Sequence, residues 1–126
     1  MNVLMLAAGT LAAITTGIHV FAGHVDPVRP LLSSTLAEVP KRTFHVVWHM
    51  VSLFLALSAV VLLYLALTEV ASANALARFI AVNYLGFGLV FLTITLSLDW
   101  PRRLFRLPQW ALLLPVAALA WAATLR

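Results

Sequence analysis

Four histidines are the side chains of this chain best suited to chemistry, and they fall in two pairs. His19 and His24 lie at the end of the first apolar run, and His45 and His49 lie at the start of the second. A spacing of four residues advances a helix by about 400°, so His45 and His49 project from one helical face. Two histidines at this spacing can bind one metal ion. A metal site is therefore one interpretation of the pair, but the match by itself is weak, because the intervening VVW lacks the catalytic glutamate of an HExxH motif.

The histidines are carried by a very apolar chain of 126 residues, 63% hydrophobic and 10% charged, with a mean hydropathy of +1.05. Soluble domains are typically about 25% charged, so the composition predicts an integral membrane protein. The length suits one domain, residues 1–126. The chain has no cysteine, which excludes disulfides and thiolate ligands. Its basic residues flank apolar runs and form no basic face, so nucleic acid is not an expected partner.

Four apolar segments reach or approach the length of about 20 residues that spans a bilayer. They comprise residues 3–23, 44–68, 79–98 and 110–125. The last is short and contains Pro115, which predicts a kink or a local break. Because lipid leaves backbone polar groups to be satisfied internally, all four should be helical. The expected fold is an all-α integral membrane four-helix bundle with antiparallel spans and a long cytoplasmic loop at 24–43.

The basic residues are distributed unevenly between the two sides of this bundle. Antiparallel spans place loops 24–43 and 99–109 on one side, and both termini and loop 69–78 on the other. The first side carries six basic residues: Arg29, Lys41, Arg42, Arg102, Arg103 and Arg106. The second side carries two, Arg78 and Arg126. The positive-inside rule then predicts that both termini face out of the cell.

The predicted topology brings all four histidines to the cytoplasmic third of the protein. At a rise of about 1.5 Å per residue, His19 and His49 should lie at similar depth, with Asp99 at the same end. Small residues share the histidine faces and would allow close helix approach. They are Gly9, Ala12 or Ala13, Thr16 and Gly23 on the first helix, and Ser52, Ala56 and Ala59 on the second. The predicted metal ligands are therefore His19, His45 and His49, with His24 or Asp99 completing the site.

Four interpretations of this cluster remain open. The histidines could bind a transition metal such as zinc, iron or copper, since neutral imidazole is a common ligand for these ions. They could instead tie helices together in a non-catalytic accessory or assembly subunit. They could hold haem b, although directly packed helices lie only about 8–10 Å apart, or they could line a proton or small-molecule path. The expected partners are the lipid bilayer and a homo-oligomer or larger membrane complex, and whether the site is catalytic stays open.

The run HVFAGHVDPVRPLL, followed by VVWHMVSLFLAL, resembles a pattern of small, uncharacterised bacterial four-helix inner-membrane proteins. In that pattern a histidine, a glycine-containing turn and a PLL loop precede a Trp-His pair that opens the second span. The resemblance covers roughly the first half of the chain. It implies a multi-pass protein of the bacterial inner membrane and singles out Trp48 and His49 for testing. It supplies no activity.

Overall fold

The computed structural model describes residues 1–68 and 70–125, and these residues are almost entirely helical. Helix accounts for 85% of the structure, and the described part contains no strand. The six α-helices are α1 (Val3–Gly23), α2 (Arg29–Ser33), α3 (Glu38–Leu67), α4 (Ala73–Ser97), α5 (Arg103–Arg106) and α6 (Trp110–Ala122). A π-helical turn, His24–Val28, joins α1 to α2, and a 3₁₀ turn, Ala123–Leu125, follows α6. The all-α prediction is confirmed.

The prediction of a long loop at 24–43 is wrong, because most of these residues are helical. The π turn and α2 extend α1 to Ser33, and α3 begins at Glu38, so the irregular connection is residues 34–37. Pro27 lies inside the π turn, where it lacks an amide proton and its ring crowds the preceding turn. The backbone N–H of Arg29 accordingly reaches back five residues to the carbonyl of His24. Widening the helix by one residue accommodates the proline without ending the helix.

Two helices begin earlier than their apolar runs. α3 starts six residues before the predicted span, and its Pro40 falls in the first turn, where amide protons have no partner in the helix. Glu38 in that turn pairs with Lys41 and Arg42. α4 starts at Ala73, because the alanine-rich stretch before the apolar run is also helical. Hydropathy marks the apolar part of a helix and not its polar first turns.

α6 is continuous through Pro115, so the proline does not break the helix. The shortness of the fourth run is confirmed: with its 3₁₀ turn, α6 covers Trp110–Leu125, below the length of the other apolar helices. The remaining three stretches are Val3–Ser33, Glu38–Leu67 and Ala73–Ser97, with 31, 30 and 25 residues, and each is long and apolar enough to cross a membrane.

The long helices pack as an up-and-down bundle in which α1 lies against α3 and α6, and α4 lies against α6. Hydrogen bonds fix their directions. The Asn2 backbone N–H donates to the carbonyl of Ala66 at 3.0 Å, and its side-chain Nδ2 donates to the carbonyl of Ala123 at 3.0 Å. The start of α1 therefore meets the ends of α3 and α6. Arg78 near the start of α4 likewise donates to Thr124. One end of the bundle holds these contacts, and the other end holds the connections 24–37 and 98–109.

Small residues set the closest helix contacts. A Cβ atom added at Gly9 would lie 2.8 Å from the backbone nitrogen of Leu63, so α1 and α3 nearly touch through their main chains there. A Cβ at Gly88 would lie 2.5 Å from a methyl of Leu114, on α6. The seam between α3 and α4 is closed more sparsely, by Phe54 against Phe87 with ring centroids 5.4 Å apart. The core contains mainly alanine, leucine and valine, and many large apolar side chains face outward.

Candidate functional site

His45 and His49 form a side-by-side imidazole pair on α3, as their spacing predicts. Their Nε2 atoms are 3.1 Å apart, and their ring centroids are 4.6 Å apart with the planes inclined at 54°. His45 is partly buried and His49 is exposed. At this separation one ring can donate an N–H to the other, or both nitrogens can face a shared ion. The pair belongs to one helix, so helix geometry alone positions it.

Trp48 is the centre of the site, and it contacts histidines of two helices. Its ring stacks on His19 of α1, with centroids 4.9 Å apart and planes 19° apart. The same ring meets His49 edge-on at 5.0 Å and 80°. The indole lies beside Gly23, where an added Cβ would be 3.4 Å from Trp48 Nε1, at ordinary van der Waals distance. We call His19, His45, Trp48 and His49 the histidine–tryptophan cluster.

His19 is tied to α3 through Ser52. The His19 Nε2 lies 3.0 Å from Ser52 Oγ, and the Ser52 hydroxyl donates to the carbonyl of Trp48 at 2.9 Å. A serine hydroxyl has one proton. With that proton directed at the Trp48 carbonyl, Ser52 Oγ accepts a hydrogen bond from Nε2–H of His19. In this tautomer Nε2 of His19 carries the proton. Binding of a metal ion at Nε2 would therefore require loss of that proton and of the hydrogen bond to Ser52.

The predicted five-ligand set is not gathered in one place. Within residues 1–68 and 70–125, no three histidine, cysteine, aspartate or glutamate side chains form a group that could hold a metal ion. His24 is exposed in the π turn, and Asp99 is exposed beyond the end of α4. The sequence placed His19 opposite an α3 face with Ser52, Ala56 and both histidines of α3, and of these it is Ser52 that His19 bonds to. It did not anticipate that an indole would contact both His19 and His49 between the two helices.

The His45–His49 pair faces away from the interior of the bundle. The neighbouring Val46, Met50 and Leu53 are all large, apolar and exposed. The buried seam of α3 runs instead through Leu55, Ala59 and Leu62. Sequence reasoning put Ala56 on the packed face, but it is exposed. The interhelical face is therefore rotated away from the histidine pair, toward Trp48 and Ser52.

Asn83 has a local role. Its Nδ2 donates to the carbonyl of Phe79, one turn earlier in α4, at 2.7 Å. This bond gives the side-chain amide a hydrogen-bond partner within its own helix. Sequence reasoning also missed Trp48 as a contact residue. Its immediate proximity to His49 was visible, but only the packing of α1 brings in His19.

Comparisons with known proteins identified no relative of this chain. No protein-family model, no curated protein and no solved structure matches the chain. The resemblance of residues 19–57 to small bacterial membrane proteins thus stays a prediction. The function has to be argued from the geometry of the cluster.

Proposed function

We propose that this chain is a multi-pass protein of the bacterial inner membrane that binds a transition-metal ion at the His45–His49 pair. Support for the membrane comes from three long apolar helices and from the large apolar side chains on their outer faces. The unequal distribution of basic residues supports an orientation with both termini outside the cytoplasm. The pair would then lie near the cytoplasmic face of the membrane.

The observation that carries the metal proposal is the 3.1 Å distance between Nε2 of His45 and Nε2 of His49. Metal–imidazole bonds to zinc are about 2.0–2.1 Å long. Two such bonds at a tetrahedral angle place their nitrogens about 3.4 Å apart, and at a right angle about 2.9 Å apart. The observed separation lies between these values, so the distance between the two nitrogens is compatible with a single shared ion.

The ion would be of the borderline class that accepts imidazole, namely zinc, iron or copper(II). Cysteine is absent from the sequence, so no thiolate would compete for a softer ion. Two histidines leave further coordination positions for water or for ligands from another chain. His19 is the nearest candidate on α1, and its recruitment would break the bond with Ser52. Because bound imidazoles must be neutral, we expect metal affinity to fall as the pH falls.

A non-catalytic accessory or assembly subunit is the second candidate, and the bond between His19 and Ser52 favours it. That contact ties α1 to α3 and uses the histidine as a structural donor. The 3.1 Å contact of His45 and His49 then represents one N–H···N hydrogen bond. Exposed apolar faces on α3 and α4 would contact partner helices. This candidate predicts a stable protein without bound metal.

Haem b fits the geometry less well. Two axial histidines must lie on opposite faces of a porphyrin, and His45 and His49 lie side by side on one helix. His19 and Trp48 are in direct contact across the space between α1 and α3. A porphyrin would have to separate these two helices. The proton-path alternative has less support among the described residues, because the contacts of Trp48 with His19 and His49 are contacts between ring faces and edges.

The decisive experiment is metal titration of the purified protein in detergent, with His49→Ala compared with His24→Ala. We expect micromolar or tighter binding of zinc to the unsubstituted protein, and a loss of about 100-fold or more in affinity for His49→Ala. His24 lies outside the cluster, so its substitution should leave the affinity within about twofold. Isothermal titration and metal analysis after gel filtration would measure both. Equal affinity of the unsubstituted protein and His49→Ala would overturn the metal site.

The membrane part of the proposal is tested separately. Carbonate extraction of cell membranes should leave the protein in the pellet, and a reporter fused to the C-terminus should signal outside the cytoplasm. Recovery in the soluble fraction would refute the membrane assignment, and a cytoplasmic reporter signal would refute the orientation. Neither result depends on the metal titration.

A further inference from the structure

The segment between α4 and α6 is held in a fixed shape by contacts with its own main chain. Arg103 Nη1 donates to the carbonyls of Leu96 and Leu98 at 2.8 and 3.0 Å, which satisfies acceptors at the end of α4. The Trp110 indole N–H donates to the carbonyl of Leu104 at 3.3 Å. Arg102 adopts a left-handed backbone with φ of 54°, the one non-glycine residue of the described part with positive φ. Arg103 is thus a structural residue that positions its neighbours.

Four side chains of this segment point into the surroundings. Phe105 is 83% exposed, and Trp100, Arg102 and Arg106 are exposed as well. The guanidinium carbon of Arg106 lies 5.9 Å from the centroid of the Trp100 ring, a cation–π distance. We call Trp100, Arg102, Phe105 and Arg106 the arginine platform. Two cations and two large aromatic rings therefore lie within the seven residues 100–106 at the basic end of the bundle.

The charges of the platform are not neutralised within the described residues. The two salt bridges found there both use Glu38, which pairs with Lys41 and with Arg42 at the start of α3. Asp99 precedes the platform directly but forms no ion pair with Arg102 or Arg106 in the part of the chain that the structure describes. Arg103 donates to carbonyls, not to a carboxylate. Two arginines remain free for an anion from outside the protein.

We propose that the arginine platform binds the phosphate headgroup of an anionic phospholipid in the adjacent leaflet. Guanidinium groups match phosphate oxygens by two parallel hydrogen bonds. Phe105 and Trp100 suit the headgroup boundary, where aromatic rings contact both acyl chains and polar groups. A free phosphate ion would leave Phe105 exposed to water, whereas a lipid covers it. The inference relies on the membrane part of the proposed function and is independent of the metal pair.

The test compares binding of phosphatidylglycerol and of phosphatidylcholine with matched acyl chains to detergent-purified protein, by native mass spectrometry. We expect a preference of about tenfold for phosphatidylglycerol, since each arginine near a membrane surface contributes to attraction of anionic lipid. Arg102→Gln/Arg106→Gln should reduce this preference to less than about twofold. Arg29→Gln/Arg42→Gln removes the same charge from the same end and should keep most of the preference.

A third variant separates headgroup charge from aromatic insertion. Phe105→Ser keeps both arginines and should weaken binding of both lipids, while the preference for phosphatidylglycerol persists. Helical content and melting temperature in phosphatidylcholine alone serve as folding controls. If a platform variant fails to fold, protection of Arg102 and Arg106 from phenylglyoxal modification by phosphatidylglycerol in the unsubstituted protein supplies the test.

Three results would overturn the proposal. An equal loss of the phosphatidylglycerol preference in both double variants would show that anionic lipid is attracted to the whole basic end and not to a specific site. Equal binding of the two lipids to the unsubstituted protein would remove the site altogether. Full competition by millimolar inorganic phosphate would assign the platform to a free ion. Protein that resists carbonate extraction yet shows no lipid preference would leave the membrane assignment intact and refute this inference alone.

Discussion

The two ends of the bundle use their polar side chains in different ways. At the end that holds the start of α1, the polar contacts cross between helices. Asn2 bonds to the carbonyls of Ala66 and Ala123, and Arg78 donates to Thr124 at 3.0 Å while its guanidinium lies 5.7 Å from the Trp121 ring centroid. These bonds join α1, α3, α4 and α6 at one level. We call this end the closed end.

At the opposite end most polar contacts stay within one element. His45 bonds to His49 four residues on, and Glu38 bonds to Lys41 and Arg42. His19 does contact another helix, through a hydrogen bond with Ser52 and a ring stack on Trp48. Hydrogen bonds between helices stabilise the bundle. A polar group paired within its own helix can exchange that partner for a ligand with little loss of folding free energy, because the helix packing does not depend on the pair. The polar contacts of the closed end tie the helices together, and the histidine end is where we propose that a ligand binds.

The largest effect on folding is expected for Gly9→Ala, in the half of α1 nearer the closed end. The new methyl would lie 2.8 Å from the Leu63 backbone nitrogen and 2.9 Å from its Cγ, so α1 and α3 must separate. Overpacking of this kind costs about 1–3 kcal/mol. Gly17→Ala in the same helix is the matched control, because nothing lies within 4 Å of its Cβ position. Equal unfolding curves for the two variants in mixed micelles would show that α1 and α3 are not this close.

A smaller loss of stability is expected for Arg78→Gln, which removes the bond to Thr124 and the contact with Trp121. A hydrogen bond and a cation–π contact together predict a loss of about 1–2 kcal/mol. Arg29→Gln at the histidine end makes a control, since Arg29 has no salt bridge among the described residues. Thermal unfolding in detergent would measure both changes. A comparable loss in the two variants would remove the contrast between the ends.

The smallest effect is expected for Gly23→Ala, where α1 meets Trp48. The added methyl would lie 3.4 Å from Trp48 Nε1, which is ordinary van der Waals contact. Stability should change by less than about 0.5 kcal/mol, and metal affinity should not change. Tryptophan fluorescence and metal titration would follow both properties. A change comparable to that of Gly9→Ala would mean that the histidine end is as tightly packed as the closed end.

Local rules predicted part of the candidate site. The pairing of His45 with His49 follows from a four-residue spacing, and the bounds of α1 coincide with its apolar run. The sequence placed His19 at the depth of His49, but it did not predict the contact of His19 with Ser52. The sequence also did not predict the contact of Trp48 with His19. Such a ring stack depends on the rotation of α3 about its own axis as well as on the depth of the two residues. Hydropathy is nearly uniform around these helices and fixes that rotation poorly.

The sequence by itself determined the helical class and the number of long apolar runs, because composition and local periodicity act through the backbone of each segment. It also determined the histidine pair, which one helix turn brings together. Only the tertiary structure decided that His19 bonds to Ser52 and that Arg78 reaches Thr124. It also decided that, among the described residues, His24 and Asp99 do not complete a group of three metal-binding side chains. Those outcomes depend on how far each helix rotates and on where side chains of its neighbours leave room. At Gly9 the approach of the Leu63 backbone limits that room, and a single sequence does not encode such an approach locally.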